Sequence, residues 1–421
     1  MSSLRPLIPL LIAAAILLGG NGLQGTLIAL RGAQEGFAPA SIGLMGTAYF
    51  AGFLIGCVVV VPMLRAVGHI RAFSALAAMG ASGTLLLAIM IDPTLWTIIR
   101  FVSGFCFAGL FTVIESWINS GVRNEDRARV LALYRIVDLG AVTGSQFLIP
   151  LIGPDGFAIF AVMTIMITLS LVPVSLGDRS NPKPPDNVRF DLRRAWAISP
   201  LGAIGCISVG VTNSGFRMLS PVYAQEIGMT VTDVAAFVSM SIIGGALIQY
   251  PLGYFSDKWD RRMVLIITSA AALASALGLA LFSGGDRLAN FAIVFVFGAF
   301  AMPLFSLSAA HANDRAEPSE YVMLNAGLML FYSIGAIGGP FTAAFMMELY
   351  GPHALFIFIA AIYAIFILII LYRMRVRASV PASERGRFAA LLRTSLMFGR
   401  LVGRGQRNRK TGEETLQQPG K

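Results

Sequence analysis

The stretch LYRIVDLGAVTG at 133–144 is apolar, small or hydroxylated except for Arg135 and Asp138. Three residues apart, these two share one face of a helix. A carboxylate held beside an arginine in apolar surroundings can take up and release a proton, with burial raising its pKa and the arginine lowering it. Asp138 is therefore the candidate proton carrier, with Arg135 as its partner. Glu115 is the third candidate. It precedes SWIN and is followed by Arg123, Arg127 and Arg129, a setting for a charge pair that forms and breaks, or for a carboxylate satisfied by water at an interface. A second stretch, LMLFYSIGAIGG at 328–339, repeats the first template at an offset of 195, with Leu330 and Ser333 at the charged positions. A fold that packs this helix without charge in one copy does not need the pair as scaffold in the other.

The surroundings of the pair are also polar. Residues 135, 138, 142, 145, 146 and 149 fall on one helical face and read Arg, Asp, Val, Ser, Gln, Ile. A helix starting near Ala128 carries Asp138 about 15 Å inward at 1.5 Å per residue. Charged residues at such depth cost at least ~2.5 kcal/mol each, so they face a cavity rather than lipid. Asn21 and Gln24, one turn apart, Gln146, Asn213, Gln249, Asn325, Tyr332 and Ser333 are candidates for the same cavity; the bland alternative is amide glue between helices. Arg100 and Arg217 each lie in the outer third of an apolar block, positioned to orient a solute or to snorkel toward an interface.

The elements that must position these residues are membrane helices. The chain of 421 residues is 56% hydrophobic and 13% charged, against about 25% charged in soluble domains. Its apolar residues form twelve blocks of roughly 20, the length that crosses a ~30 Å hydrocarbon core. The block after Arg5 runs from Pro6 to about Leu30 without a small-residue cleavage site, so it reads as a span rather than a signal peptide. Cys57, Cys106 and Cys206 all lie within blocks and His69, His311 and His353 are scattered, a pattern without disulfide or metal spacing. No nucleophile–base pair or phosphate loop marks an enzyme, and the expectation is no cofactor and no metal.

Placing both ends inside puts 27 of 32 Lys and Arg in cytoplasmic segments, which decides the orientation. Residues 373–421 alone carry a balance of +9. The basic character thus marks a tail beside anionic lipid, not a nucleic-acid surface. Within it, residues 384–404 read as an amphipathic helix lying in the membrane interface. Arginine outnumbers lysine 28 to 4, a bias of GC-rich bacterial genomes, and the expected location is a bacterial inner membrane, with the chain a monomer.

The polar segment 177–196 separates six blocks (1–176) from six (197–372), followed by the tail 373–421. The halves repeat: AQEGFAPASIG at 33–43 matches AQEIGMTVTDV at 224–234. A parallel six-helix repeat is the plan of transporters that rock around a midplane site. GYFSDKWDRR at 253–262 resembles the G-x-x-x-D-R/K-x-G/D-R-R/K loop of the major facilitator superfamily. VPMLRAVGHIR at 61–71 occupies the equivalent place, with Val61 for the glycine and Arg65 for the aspartate. RFVSG at 100–104 resembles the family's R-x-x-Q-G. GHIRAF at 68–73 and ESWIN at 115–119 resemble its YcaD-like bacterial branch.

The resemblance implies an all-α fold of twelve transmembrane helices in two six-helix repeats. It implies a cytoplasmic gate formed by Asp257, Arg261 and Arg262, with His69 and Arg71 in the first half. It implies movement of a small solute by alternating access. Proton-coupled uptake of a polar or aromatic, vitamin-like metabolite is the leading expectation. The rivals are a proton-driven exporter and a non-transporting sensor or scaffold. Exporters of the superfamily often carry G-x-x-x-G-P in helix 5; here helix 5 has Ser145 at the proline, and GAIGGP at 335–340 sits in helix 11.

Overall fold

The computed structural model describes residues 8–121, 127–176, 191–282, 286–317, 319–381, 385, 386 and 388. Its first half contains α1 (Ile8–Gln34), α2 (Pro39–Val67), α3 (His69–Ile89), α4 (Pro93–Gly121), α5 (Arg127–Gln146), α6 (Leu148–Ile152), α7 (Phe157–Leu169) and α8 (Leu171–Leu176). Its second half contains α9 (Leu192–Ile198), α10 (Pro200–Glu226), α11 (Val231–Lys258), α12 (Arg261–Phe282), α13 (Arg287–Ala301), α14 (Leu304–Asn313), α15 (Tyr321–Tyr350) and α16 (Ala354–Val376). Eleven segments are long and apolar enough to cross a membrane, and α10 joins them when taken with α9, from which it bends by 112°. The described residues thus hold the twelve helical spans that the apolar blocks predict. The last residues of the predicted linker form α9, whose N-cap Asp191 accepts from the Arg194 N–H at 2.8 Å.

Three spans are broken, and proline explains where. A proline lacks the N–H that would bond four residues back, and its ring crowds that carbonyl. Pro150 follows the break at Phe147, Pro173 follows the break at Ser170, and Pro303, the N-cap of α14, directly follows Met302. Pro62, Pro221, Pro251 and Pro340 are instead carried inside continuous helices.

Glycine sets the closest helix contacts. A Cβ on Gly52 or Gly104 would collide with the facing backbone of α4 or α2, and one on Gly244 or Gly298 would do the same between α11 and α13. These are equivalent helix pairs in the two halves, so the repeat extends to its packing. Such contacts let dispersion act between backbones where lipid gives no hydrophobic drive.

Both halves end on one membrane face, here the terminal face; the other is the far face. The halves meet tightly toward the far face, where α2 lies on α15. Gly46 leaves no room for a side chain, since a Cβ there would lie 2.8 Å from both Met218 and Pro340. The Thr47 hydroxyl donates to the Ile337 carbonyl at 2.7 Å, and the Ala40 N–H donates to Glu348 at 3.1 Å. α4 packs on α1, α2 and α3, while α14 packs on α10, α12 and α15, each within its own half.

Candidate functional site

A cavity of about 180 Å³ lies between the halves, lined from α1, α2, α4 and α5 on one side and from α10, α11, Met302 and α15 on the other. Of the predicted cavity residues, Asn21, Arg100, Arg135, Asp138, Gln146, Asn213, Arg217 and Tyr332 line it. Ser333 lines it too, from the position equivalent to Asp138.

Arg100 is fixed by residues distant in sequence. One terminal nitrogen donates to Gln24 Oε1 at 2.7 Å, and the guanidinium sits 4.3 Å from the centre of the Tyr49 ring. The Gln24 amide donates to Thr84 Oγ1 at 3.1 Å, and Tyr49 donates to Asn21 Oδ1 at 2.7 Å. Four helices, α1 to α4, thereby hold one cation at the cavity wall. Arg100 is only 4% exposed, and among the described residues its Nε has no partner, an arrangement that costs free energy unless something else accepts from it. Gln24 itself does not line the cavity; it acts as the clamp behind Arg100.

Arg135 and Asp138 form an ion pair at 2.8 Å on α5. A second Arg135 nitrogen reaches Gln249 Oε1 on α11 at 3.3 Å, and the Gln249 amide reaches Ser306 on α14 at 3.4 Å. The pair is therefore wired across the interface between halves. Gln249 serves this bridge rather than the cavity lining. Gln146 accepts from Thr26 at 2.7 Å and closes the α5 stripe against α1. Arg217 enters from α10, and among the described residues its guanidinium meets no hydrogen-bond or ion-pair partner. Aromatic rings of Tyr49, Phe50, Phe53, Phe111, Phe216 and Tyr332 line the cavity beside aliphatic residues such as Leu18, Val142 and Ile242.

Asn325 is not in the cavity. Its amide exchanges two hydrogen bonds with Asn313, both 3.2 Å, and also donates to the Tyr321 carbonyl at 2.8 Å. This buried pair joins α14 to α15, which is the glue role of intramembrane amides. Glu115 is also away from the cavity, buried beside Tyr134, whose hydroxyl donates to it at 3.3 Å. Arg123 lies outside the described residues, and the Arg127 side chain lies outside them as well.

At the terminal face the motif loop forms a charge cluster. Arg261 bonds Asp257 at 3.2 Å and Asp314 at 2.5 Å, while Arg262 holds Asp260 at 2.8 Å. Burial pushes the Asp260 carboxyl up, but the Arg262 hydrogen bonds and charge prevail and hold it below the usual carboxylate range. Asp314 goes the other way, raised by burial against the opposing pull of Arg261. Two tail residues close over this cluster. The Gly386 N–H donates to Asp314 at 3.0 Å, the Phe388 N–H donates to Asp257 at 2.8 Å, and Arg261 donates to the Gly386 carbonyl. The predicted tail helix at 384–404 otherwise lies outside the described residues. In the first half, α2 and α3 are joined by Gly68 alone, at φ +82°, a conformation that favours glycine. His69 turns inward to Ser116 at 3.0 Å. Arg71 is exposed, and among the described residues it pairs with nothing, so the two loops are not equivalent gates.

Tyr49, Thr84, Ser306 and Asp314 escape a reading of the sequence. Tyr49 lies in an apolar run, and Thr84 and Ser306 are single hydroxyls among many. Asp314 follows HAN, the stretch equivalent to SWI of the first half, and that correspondence is the signal that finds it.

Comparison with known proteins agrees with this architecture. The Major Facilitator Superfamily matches residues 10–307 and, in a second registration, 202–405. The protein named Uncharacterized MFS-type transporter YcaD from Salmonella newport (strain SL254) is 26% identical over 373 residues, covering 87% of this chain and 95% of its own length. Among solved structures, the nucleoside transporter NupG superposes with a TM-score of 0.76 at 12% identity, covering 89% of this chain and 100% of that one. A bacterial homologue of the human lysosomal transporter Spinster, in an inward-facing and occupied conformation, gives 0.71 at 13% identity, covering 90% and 97%. At such identities these two likenesses concern the fold. The repeat, the motif loop and a family match spanning both halves lead to one assignment: the chain belongs to the major facilitator superfamily of membrane transporters.

Proposed function

We propose that this transporter takes up a small organic anion by proton-coupled alternating access, with both chain ends cytoplasmic in a bacterial inner membrane. The observation that carries the reading is the charge of the cavity wall. Three guanidinium groups, Arg100, Arg135 and Arg217, face a single carboxylate, Asp138. Two unit charges 4 Å apart interact by about 4 kcal/mol at an effective dielectric of about 20. An uncompensated excess of cations therefore favours a carboxylate- or phosphate-bearing solute, and the aromatic lining fits a planar apolar body.

Coupling follows from the same residues. With Asp138 ionised, Arg135 is spent on it. When a proton adds to the Asp138 carboxylate, the Arg135 guanidinium keeps Gln249 and gains freedom to bind the solute anion. Proton and anion then raise each other's affinity, as linkage requires. The tight far-face contact of α2 with α15 supports a cavity that opens toward the terminal face. Ser145 in place of the exporters' helix 5 proline supports uptake over export.

The test is flux into proteoliposomes under an imposed pH gradient with a panel of labelled aromatic carboxylates, organic phosphates, neutral analogues and organic cations. Accumulation of an anion that stops when the gradient is collapsed is the expected result. Preferential movement of cations would overturn the anion assignment, and a protein that moves nothing on the panel would return the scaffold reading.

A further inference from the structure

A second cationic site lies at the terminal face, outside the translocation cavity. A cleft there is lined by Arg262, His311, Arg315, Arg373 and Arg377 together with the Ser199–Leu201 start of α10. Among the described residues no carboxylate lines it. The nearby acids are already used, Asp260 by Arg262 and Asp314 by Arg261.

The arginines instead reach for backbone carbonyls. Arg262 donates to the Arg377 carbonyl at 2.7 Å, Arg315 to Ala378 at 3.1 Å, and Arg377 to Ile198 at 3.4 Å. Among the described residues the Arg373 side chain has no hydrogen-bond or ion-pair partner. The His311 ring, 5% exposed, likewise meets none there although it forms part of the cleft wall. The first turn of α10, a helix of 27 residues, opens on the same cleft, adding the positive end of its dipole. The like charges are felt: burial first, and then Arg377, Arg262 and Arg373, hold Arg315 below its ordinary value, with Asp314 opposing.

We propose that this cleft binds a phosphate group. Guanidinium forks are the donors that phosphate oxygens match. Two sources carry that chemistry, an anionic phospholipid headgroup and a soluble phosphate. The exposed rings of Trp196, Trp259 and Tyr372 on neighbouring elements mark the level where aromatic side chains meet headgroups. The cleft shares no lining residue with the solute cavity.

The experiment uses the full-length protein and two variants. Arg373→Gln removes a cleft arginine that has no protein partner to lose, so folding is preserved. Arg375→Gln removes an exposed arginine two residues away that does not line the cleft. Native mass spectrometry reads retention of phosphatidylglycerol against phosphatidylcholine, and thermal unfolding reads protection by inorganic phosphate. The expected result is one retained phosphatidylglycerol, weakened about tenfold in Arg373→Gln, the cost of roughly 1.4 kcal/mol, and changed less than about twofold in Arg375→Gln. Protection by inorganic phosphate that Arg373→Gln abolishes would also support the site and assign it a soluble source. Equal loss in both variants, or no dependence on Arg373 for either probe, would overturn the proposal.

Discussion

Helices α5 and α15 share one sequence template and pack in opposite ways. In α15, Gly335 and Gly339 press against the α10 backbone so closely that a Cβ on either would collide with it. The equivalent Gly140 and Gly144 of α5 have nothing within 4 Å of where a Cβ would sit. α15 runs 30 residues without a break and carries Pro340 inside it, whereas α5 stops at Gln146 even though Ser145 stands at the equivalent of that proline. Within their membrane-crossing windows, 72% of the α15 span is buried but only 22% of the Ala132–Ile152 span that α5 forms with α6. Local stability follows buried contact, and elements that move are drawn from the loosely packed end. The second-half copy is a strut. The first-half copy, with the ion pair at its centre, is the element whose position is cheapest to change.

The sharpest way to break this comparison is to remove the charge from one copy and the hydroxyl from the other. Asp138→Asn should cut pH-driven accumulation at least about tenfold, a coupling loss of roughly 1.4 kcal/mol or more, while solute exchange without a gradient persists. Ser333→Ala should change accumulation by less than about twofold on the same coupling scale. Undiminished accumulation in the Asp138 variant would place coupling elsewhere.

The packing difference gives the next effect. Gly339→Ala forces a methyl into the α10 backbone and should destabilise by about 1–3 kcal/mol. Gly144→Ala meets open space and should be neutral, or stabilising by up to about 1 kcal/mol from helix propensity. Unfolding midpoints of the two variants in one detergent check the sign. Asn325 sharpens the division between strut and carrier. Asn325→Ala strands the Asn313 amide and should cost about 1–3 kcal/mol, yet leave the solute KM unchanged. A KM that moves with stability intact would return Asn325 to the cavity.

The smallest effect lies in the charge cluster at the terminal face, where the pKa values of two carboxylates are shifted in opposite directions. Asp260 is held low, so its stabilisation is present above the unfolded carboxylate pKa and fades as pH falls through the folded value. Asp314 is raised, so its contribution is fullest below the unfolded value and fades as pH rises through the folded one. Below about pH 4, where unfolded aspartate takes up its proton, Asp260→Asn should reduce the acid loss of thermal stability, and between about pH 6 and pH 4 Asp314→Asn should remove a gain that acidification otherwise brings. Parallel shifts in the two variants would refute this opposition.

The positions of the spans, the twofold repeat and the unusual depth of Arg135 and Asp138 were set by the sequence itself. Hydropathy and helical period are local properties, and an apolar block of about 20 residues has few fates other than a membrane helix. Even the contrast between Asp138 and Ser333 needs only the offset between repeats.

What each polar side chain touches was decided by tertiary structure. A 3.6-residue period tells which residues share a face but not which helix that face meets. Gln24 and Asn325 carry similar signals in the sequence, yet one clamps Arg100 from 76 residues away and the other pairs with Asn313 across a turn. Arg71 and Arg261 both sit in motif loops; one is left at the surface, and the other is buried between two aspartates because Asp314 approaches from another helix end. The convergence of Arg100, Arg135 and Arg217 on one cavity, and the bridge from Arg135 to Gln249 across 114 residues, exist only once the two halves are packed together, because charges on separate helices acquire a common field through their spacing in three dimensions.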